Sequence, residues 1–496
     1  MTREQALGRL ETMDREITML EHIAAVMEWD SELYMPAAES DERGRQMEFL
    51  QREIHRRESS EVMGEVLSRL EGKEDDPFAA ALVRVRSRSY RLGKALPEDL
   101  VGRLSRAKTT GYVVWLQARK DNDFASFVPA LEELVSLTRE QASLLSGGKT
   151  GRYDALLDMY EEGMTTREVD PLFDALRPIL VSLVDERSAQ KVDDAFLRQP
   201  YPIDLQDQFA QRVMTDMGFD FSRGLKGIAA HPFTSALGED DVRITTRYTD
   251  PSVMDSFFSS VHECGHAIYE QTASQGRLKG TSLAGGASYG MHESQSRLWE
   301  NIIGRSLPFW MHYFPLFRDT FPEQVGDVTL AEFYHAVNKV ERTPIRTNAD
   351  EVSYSLHIML RYRLEKQLIA GTLAVPDIPQ AWNEASRDLL GLEITDDRLG
   401  CLQDVHWASG EIGYFPTYAL GNLYGAQIWE TLRKDLDTDH LLARGDLFPI
   451  VSWLREKVYS QGLLYPPKAL LKKVTGASLD AGAYVRYLTD KYHTSW

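Results

Sequence analysis

MTREQALGRLETMDREITMLEHIAAV, residues 1–26, sets Leu7, Leu10, Ile17, Leu20 and Ile23 at spacings of three and seven. An α-helix turns once in about 3.6 residues, so these side chains form one apolar stripe along a helix. Comparable stripes run through 44–70, 78–92, 128–145, 166–184, 205–217 and 354–370. Turn signals at Gly147–Gly148 and Pro376–Asp377 punctuate them. The strand signal is short: Val242, Ile244 and Thr246 alternate with Arg243, Thr245 and Arg247. With no repeat, low-complexity tract or flexible linker, the pattern predicts a single, mainly α domain over 1–496 with a small β-sheet near 240–248.

A chain of 496 residues buries a large core without needing a metal or disulfide as a staple, so a metal motif here points to chemistry. The 56 Lys and Arg against 75 Asp and Glu leave a net charge of −19. That balance argues against nucleic acid or an anionic membrane as partner, since both demand a basic face. Cys264 and Cys401 form no CxxC pair, and the charged N-terminus lacks the apolar core of a signal peptide. With no apolar run long enough to span a bilayer, the expected location is the cytoplasm.

The chemistry lies in DPSVMDSFFSSVHECGHAIYEQTASQ, residues 250–275. Asp250 before Pro251 reads as an N-cap followed by a proline at the first helical position. Met254, Phe257, Phe258, Val261, Gly265 and Ile268 form a buried stripe, with His262, Glu263 and His266 on its flank. Two histidines four residues apart share one helix face, so both imidazoles can converge on one zinc ion. Glu263 lies between them in angle and is placed to take a proton from metal-activated water. Gly265 costs the helix about 1 kcal/mol relative to alanine, which suggests that something approaches its backbone. A third ligand is expected from His292-Glu293-Ser294-Gln295-Ser296-Arg297. Glu293 is favoured because Arg297, four residues on, would orient its carboxylate, and His292 is the competitor.

Peptide hydrolysis also needs donors for the oxyanion, for which His406, Tyr414 and Tyr418 are the candidates. Reading a free C-terminal carboxylate calls for an arginine fork. Arg346, with Asp350 four residues on to fix it, is one candidate, and Arg243 is the other.

Six spaced motifs then carry a family resemblance: HPF (231–233), DVRIT (241–245), HECGH (262–266), HESQ (292–295), IRTNAD (345–350) and GCLQDVHW (400–407). WDSELYMP (29–36) adds to them. Over nearly its whole length the chain resembles the carboxypeptidase Taq family of thermostable HExxH zinc metallocarboxypeptidases. The resemblance implies a mainly α, two-lobed globule with a deep central groove and a small β-sheet near the active site, residues 1–150 forming part of one groove wall. It implies release of C-terminal amino acids with broad preference, zinc that cobalt can replace, and a homodimer. Carried over by position, His262, His266 and Glu293 would hold zinc and Glu263 would be the general base. Arg346 would hold the substrate carboxylate, and His406 and Tyr418 would act on the scissile group, with Tyr414 an alternative to Tyr418. Two other readings stand beside this one: an HExxH endo-oligopeptidase indifferent to a free C-terminus, and a helical peptide-binding protein with a vestigial zinc site. The intact Glu263 speaks against the second, since binding alone needs no base.

Overall fold

Thr2 and Gln5 cap the first helix reciprocally, Gln5 N–H donating to Thr2 Oγ1 (3.2 Å) and Thr2 N–H to Gln5 Oε1 (2.8 Å). Helix α1 then runs Arg3–Leu33. This computed structural model describes every residue except 73–75, 149–150, 230, 249–251 and 495–496. Over the described residues the chain is mainly α with one small sheet, as expected. It divides into two units: Met1–Lys94, Asp193–Val337 and Gly425–Ser478 form the first, and Ala95–Val192, Asn338–Tyr424 and Leu479–Trp496 the second.

In the first unit, Leu10 and Ile17 of α1 are buried with Leu50, Ile54, Met63, Val66 and Leu82, while Leu7 and Leu20 are partly buried against them. Ile23 departs from the expected stripe and is 46% exposed. Each step of three residues falls about 60° short of a full turn, so two such steps after Ile17 carry Ile23 off the buried face. The stripe expected across 44–70 is likewise two helices, Ser40–Glu58 and Glu61–Leu70. They part at Ser60, whose hydroxyl accepts the Met63 N–H and starts the second. Buried Asp14 of α1 pairs with Arg86 (2.5 Å) and accepts the Ser282 N–H (3.0 Å), tying α1 to the glycine-rich loop before the HESQ motif.

The sheet has strands β1 (Lys226–Ile228), β2 (Thr234–Gly238) and β3 (Asp241–Thr246) in the order β1-β3-β2. β1 is parallel and β2 antiparallel to β3. The predicted strand is thus the central one. Val242 and Ile244 are buried as alternation requires. Thr245 and Thr246 are buried too, their hydroxyls bonded to Phe233 and to the Ser256 carbonyl.

Helix α2, Val253–Ala273, carries the HECGH motif. The predicted start at Asp250–Pro251 lies outside the described residues, and Ser252 precedes the helix without a side-chain cap. Its apolar stripe is buried as predicted: Phe257 meets the rings of Phe209 (5.4 Å) and Trp310 (5.6 Å), leaving His262, Glu263 and His266 on the flank. The HESQ motif lies in α3, Tyr289–Arg297, which Ser288 caps and which runs into a π-helical turn at Leu298–Ile303. At Gly265 α2 meets α3 backbone to backbone, and a Cβ there would stand 2.8 Å from both Gln295 O and Ser296 Cα. This is the close approach that the sequence led us to expect.

In the second unit, α4 (Tyr354–Ala370) precedes the stretch carrying GCLQDVHW, and helix α5 (Pro416–Asp435), of which residues 416–424 belong to this unit, follows it. The stripe expected over 354–370 is not a stripe, because α4 is buried on nearly all sides and takes His357, Arg361 and Glu365 inside with it. Buried charge of this kind persists only where it is paired or hydrogen-bonded.

Gly265→Ala is expected to destabilise the chain by about 1–3 kcal/mol in urea denaturation. The added methyl group would force α2 and α3 apart, against the gain of about 1 kcal/mol that alanine brings to a free helix.

Candidate active site

His262 and His266 stand one turn apart on α2, and their Nε2 atoms face Glu293 Oε2 of α3 at 3.6 and 3.4 Å. One ligand atom from each of these three residues lies within 4.8 Å of the others. Among the described residues no other group of three or more His, Cys, Asp or Glu converges in this way. The nitrogens turned away from the cluster are anchored as well. His262 Nδ1 meets Glu300 Oε2 (2.8 Å), and His266 Nδ1 meets His292 Nδ1 (2.5 Å). Arg297 Nε donates to Glu293 Oε1 (2.7 Å), the orientation its spacing suggested, and Arg297 Nη1 reaches Glu300 Oε2 (3.3 Å). Of the two ligand candidates on α3, Glu293 is therefore the one brought to the pair, and His292 sits behind His266.

The electrostatics fit a cation. Burial alone would raise Glu293 and Glu300, but Arg297 and His262 outweigh it and keep both carboxyls well below the usual range. Burial pushes His266 down to about 3, so its ring is neutral and offers a lone pair. His262 moves the other way: burial lowers it, but Glu293 and Glu300 prevail and draw a proton there. Two imidazoles and a carboxylate are the donor set that a divalent metal takes, at a place where the protein's own charges call for positive charge.

Glu263 is buried beside this group without belonging to it. Its Oε2 accepts from Thr234 Oγ1 of β2 (2.6 Å). Burial raises its pKa against the pull of His262 and Thr234. A carboxyl so placed is suited to accept and return a proton. Thr234 directly follows the HPF stretch, where Phe233 meets Trp29 edge-on (5.3 Å), and Arg243 lies over Trp29 (5.6 Å). Four of the quoted stretches, WDSELYMP, HPF, DVRIT and HECGH, are thus linked within the first unit.

The second unit gathers the remaining candidates except Arg243. Arg346 Nε donates to Asp404 Oδ1 (2.9 Å), Arg361 Nε donates to Asp404 Oδ2 (2.7 Å), and Arg346 Nη1 donates to the Tyr354 hydroxyl (3.0 Å). Asp350 does not hold Arg346 as expected. Residues 346–348 form a 3-10 turn and Ala349 is extended, so the α-helical i, i+4 relation does not exist here. Asp350 instead accepts the Val352 and Ser353 N–H groups and the Ser353 hydroxyl ahead of α4. Arg243, in the first unit, has its fork taken by Asp241 of the same strand (2.9 and 2.7 Å).

His406 Nε2 lies 3.2 Å from the Tyr418 hydroxyl, and its ring packs on Phe415 (4.4 Å between centroids). Its Nδ1 is buried without a hydrogen-bond partner among the described residues. Burial, then the Arg346 charge, pushes His406 down to about 3, so the ring is neutral. Tyr414 meets Tyr418 edge-on (5.2 Å). Glu365 of α4 holds the stretch that directly follows His406, accepting from Trp407 Nε1 (2.9 Å) and Gly413 N–H (3.0 Å) as well as from Tyr153 (2.7 Å).

Sequence reasoning missed Glu300, Glu270, Thr234 and the role of Asp404. Glu300 and Glu270 were legible, standing seven residues after Glu293 and four after His266 on faces already singled out. Thr234 and Asp404 act on residues 29 and 58 positions away, and no local pattern reports such a pairing.

An unligated buried carboxyl beside a His, His, Glu metal cluster is the working arrangement of a metal-dependent peptidase. The model of the carboxypeptidase Taq (M32) metallopeptidase family matches residues 9–492. Thermostable carboxypeptidase 1 of Thermus thermophilus is 40% identical, with 99% of each chain covered. Carboxypeptidase 1 of Bacillus subtilis is 36% identical, with 96% of each covered. The crystal structure of the Deinococcus radiodurans M32 carboxypeptidase superposes with a TM-score of 0.95 at 38% identity over 99% of both chains. Trypanosoma cruzi metallocarboxypeptidase 1 gives 0.94 at 34% identity, covering 98% of this chain and 99% of that one. The chain belongs to the carboxypeptidase Taq (M32) family, and it is a metallocarboxypeptidase. Among the described residues no helix is long and apolar enough to cross a membrane.

Burial pushes Glu365 up to about 7, above the ordinary 4.5. Its neutral form therefore favours the folded chain. That contribution is complete below about pH 4.5 and is lost as pH rises through about 7, on the order of 3 kcal/mol in all. Chemical denaturation between pH 5 and 8 is expected to show this decline in the native protein and a flatter profile in Glu365→Gln.

Proposed function

We propose that this enzyme is a zinc carboxypeptidase that releases C-terminal amino acids from peptides with broad side-chain preference. His262, His266 and Glu293 would hold the ion. When bound, it supplies Lewis acidity, lowering the pKa of a water and polarising the scissile carbonyl. Glu263 takes a proton from the attacking water and passes it to the departing amine nitrogen. His406 and Tyr418 are assigned to the carbonyl oxygen as it gains charge, with Tyr414 steadying Tyr418.

One observation carries the demand for a free C-terminus: two buried guanidiniums, Arg346 and Arg361, share the single carboxylate of Asp404. Burial would raise Asp404, but the two arginines outweigh it and keep it ionised. His357 and His406 add no charge, both being driven to the neutral form by burial first and by arginine second. A buried positive charge left over in this way suits an incoming carboxylate. Arg346 is favoured over Arg243 as the anchor because Arg346 shares its carboxylate with Arg361, whereas the fork of Arg243 is met by both oxygens of Asp241. Broad preference follows, since such an anchor reads the main-chain carboxylate and not the side chain.

We further propose one peptidase domain over the whole chain, cobalt as a substitute for zinc, a homodimer and a cytoplasmic location. The buried free thiols Cys264 and Cys401 accord with a reducing compartment.

Glu263→Gln is expected to keep stoichiometric zinc by elemental analysis while losing at least a hundredfold in kcat on an unblocked peptide. Full activity in the zinc-loaded variant would overturn the mechanism. Amidating the C-terminus of a test peptide should abolish cleavage in the native enzyme. Arg346→Ala should lower kcat/KM on the free peptide by roughly a hundredfold. Unchanged cleavage of the amidated peptide would make the enzyme an endo-oligopeptidase.

A further inference from the structure

We propose that His292 and Glu270 form a relay that fixes the ring orientation and tautomer of His266, which makes His292 a positioning residue of the metal centre and not a ligand. The proposal rests on the reading of His262, His266 and Glu293 as metal ligands.

The relay is a continuous line of contacts. His266 turns Nε2 toward Glu293 and Nδ1 toward His292 Nδ1, 2.5 Å away. The other nitrogen of His292, Nε2, lies 2.6 Å from Glu270 Oε1. Glu270 is four residues beyond His266 on α2, so one helix face supplies His262, His266 and Glu270 in succession, and α3 supplies His292 between the last two.

Proton placement decides the direction of the line. In the relay the Glu270 oxygen accepts, which requires a proton on His292 Nε2. The relay requires that His292 carry that one proton alone, so that its Nδ1 accepts and His266 donates from its own Nδ1. That leaves the lone pair of His266 on Nε2, the nitrogen turned to Glu293. The opposite tautomer would put a bare His292 Nε2 against the carboxylate and a proton on His266 Nε2, where no ion could bind. Both nitrogens of His292 are engaged, so neither is open to a metal.

The surroundings leave the relay little room to turn. The Tyr269 ring lies 5.3 Å from that of His292. The loop before α3 closes over it with two glycines. A Cβ on Gly286 would come 2.6 Å from His292 Cδ2, and one on Gly285, at φ +107°, would come 3.4 Å from Glu270 Oε1. These positions give a physical role to part of the glycine-rich stretch between the two motif helices.

The test is competition for zinc between the full-length protein and a chromophoric chelator, with native protein, His292→Ala, His292→Asn, Glu270→Gln and His266→Ala compared at one pH. His292→Ala and Glu270→Gln are each expected to weaken zinc binding ten- to a hundredfold. In His292→Asn the side-chain oxygen can still accept from His266 Nδ1, so the loss should be smaller. Once His292 is alanine, Glu270→Gln should cost nothing more. In the zinc-loaded native protein, 15N shifts should place the proton of His266 on Nδ1. Native affinity in both His292→Ala and Glu270→Gln, or a proton on Nε2 of His266, would overturn the relay. Loss of zinc in His292→Ala as complete as in His266→Ala, with native circular dichroism, would make His292 a ligand and overturn it equally. If His292→Ala does not fold, near-isosteric Glu270→Gln and the native 15N spectrum decide the matter. Failure of the native protein to bind zinc at all would instead strike the metal reading beneath it.

Discussion

The structure turns on one close approach. At Gly265 the backbone of α2 meets the backbone of α3 at a distance that excludes a methyl group. Only at that separation does a glutamate on one helix bring its oxygen within 3.4–3.6 Å of two imidazoles on the other. The glycine is unfavourable to α2 as an isolated helix, and packing offsets that local cost. The buried aromatic face of α2 presses it into the unit, while Phe257 between Phe209 and Trp310 fixes its rotation. The same rotation sets His262, Glu263 and His266 on the polar flank.

Around that contact, charges are settled in pairs. Each imidazole has its outward nitrogen bound, His262 to Glu300 and His266 to His292, and Arg297 is shared between Glu293 and Glu300. Side chains held in this way would lose little freedom on taking an ion, which is how outer contacts strengthen a metal site. Glu263 stands apart, bonded to Thr234 of the small sheet. The sheet is minor in size, yet it holds the one carboxyl of the group that remains free to move a proton.

The second unit follows a different principle. It leaves a charge unbalanced, with two guanidiniums against one carboxylate and both neighbouring histidines neutral. Leaving buried charge uncompensated costs free energy, which a structure tolerates where a ligand completes the balance. Glu365 serves the same region by pinning the Trp407–Gly413 loop from α4. That a helix so rich in polar groups is buried on nearly all sides follows from these pairings.

Sequence by itself determined the mainly α class, the central strand, the helix bearing HECGH and the histidine pair, and it favoured Glu293 over His292 through the spacing to Arg297. All of these rest on spacings within one helix or strand, where backbone geometry converts residue number directly into position. It also marked Gly265 as a point of contact without saying with what. Tertiary structure decided the rest: that Asp404 and not Asp350 holds Arg346, that Thr234 holds Glu263, that α4 is buried all round, and that the 44–70 stripe is two helices. The physical reason is the same in each case. A hydrogen bond between residues dozens of positions apart leaves no periodic trace in the chain, and an ion pair can override the amphipathic pattern that the chain does show.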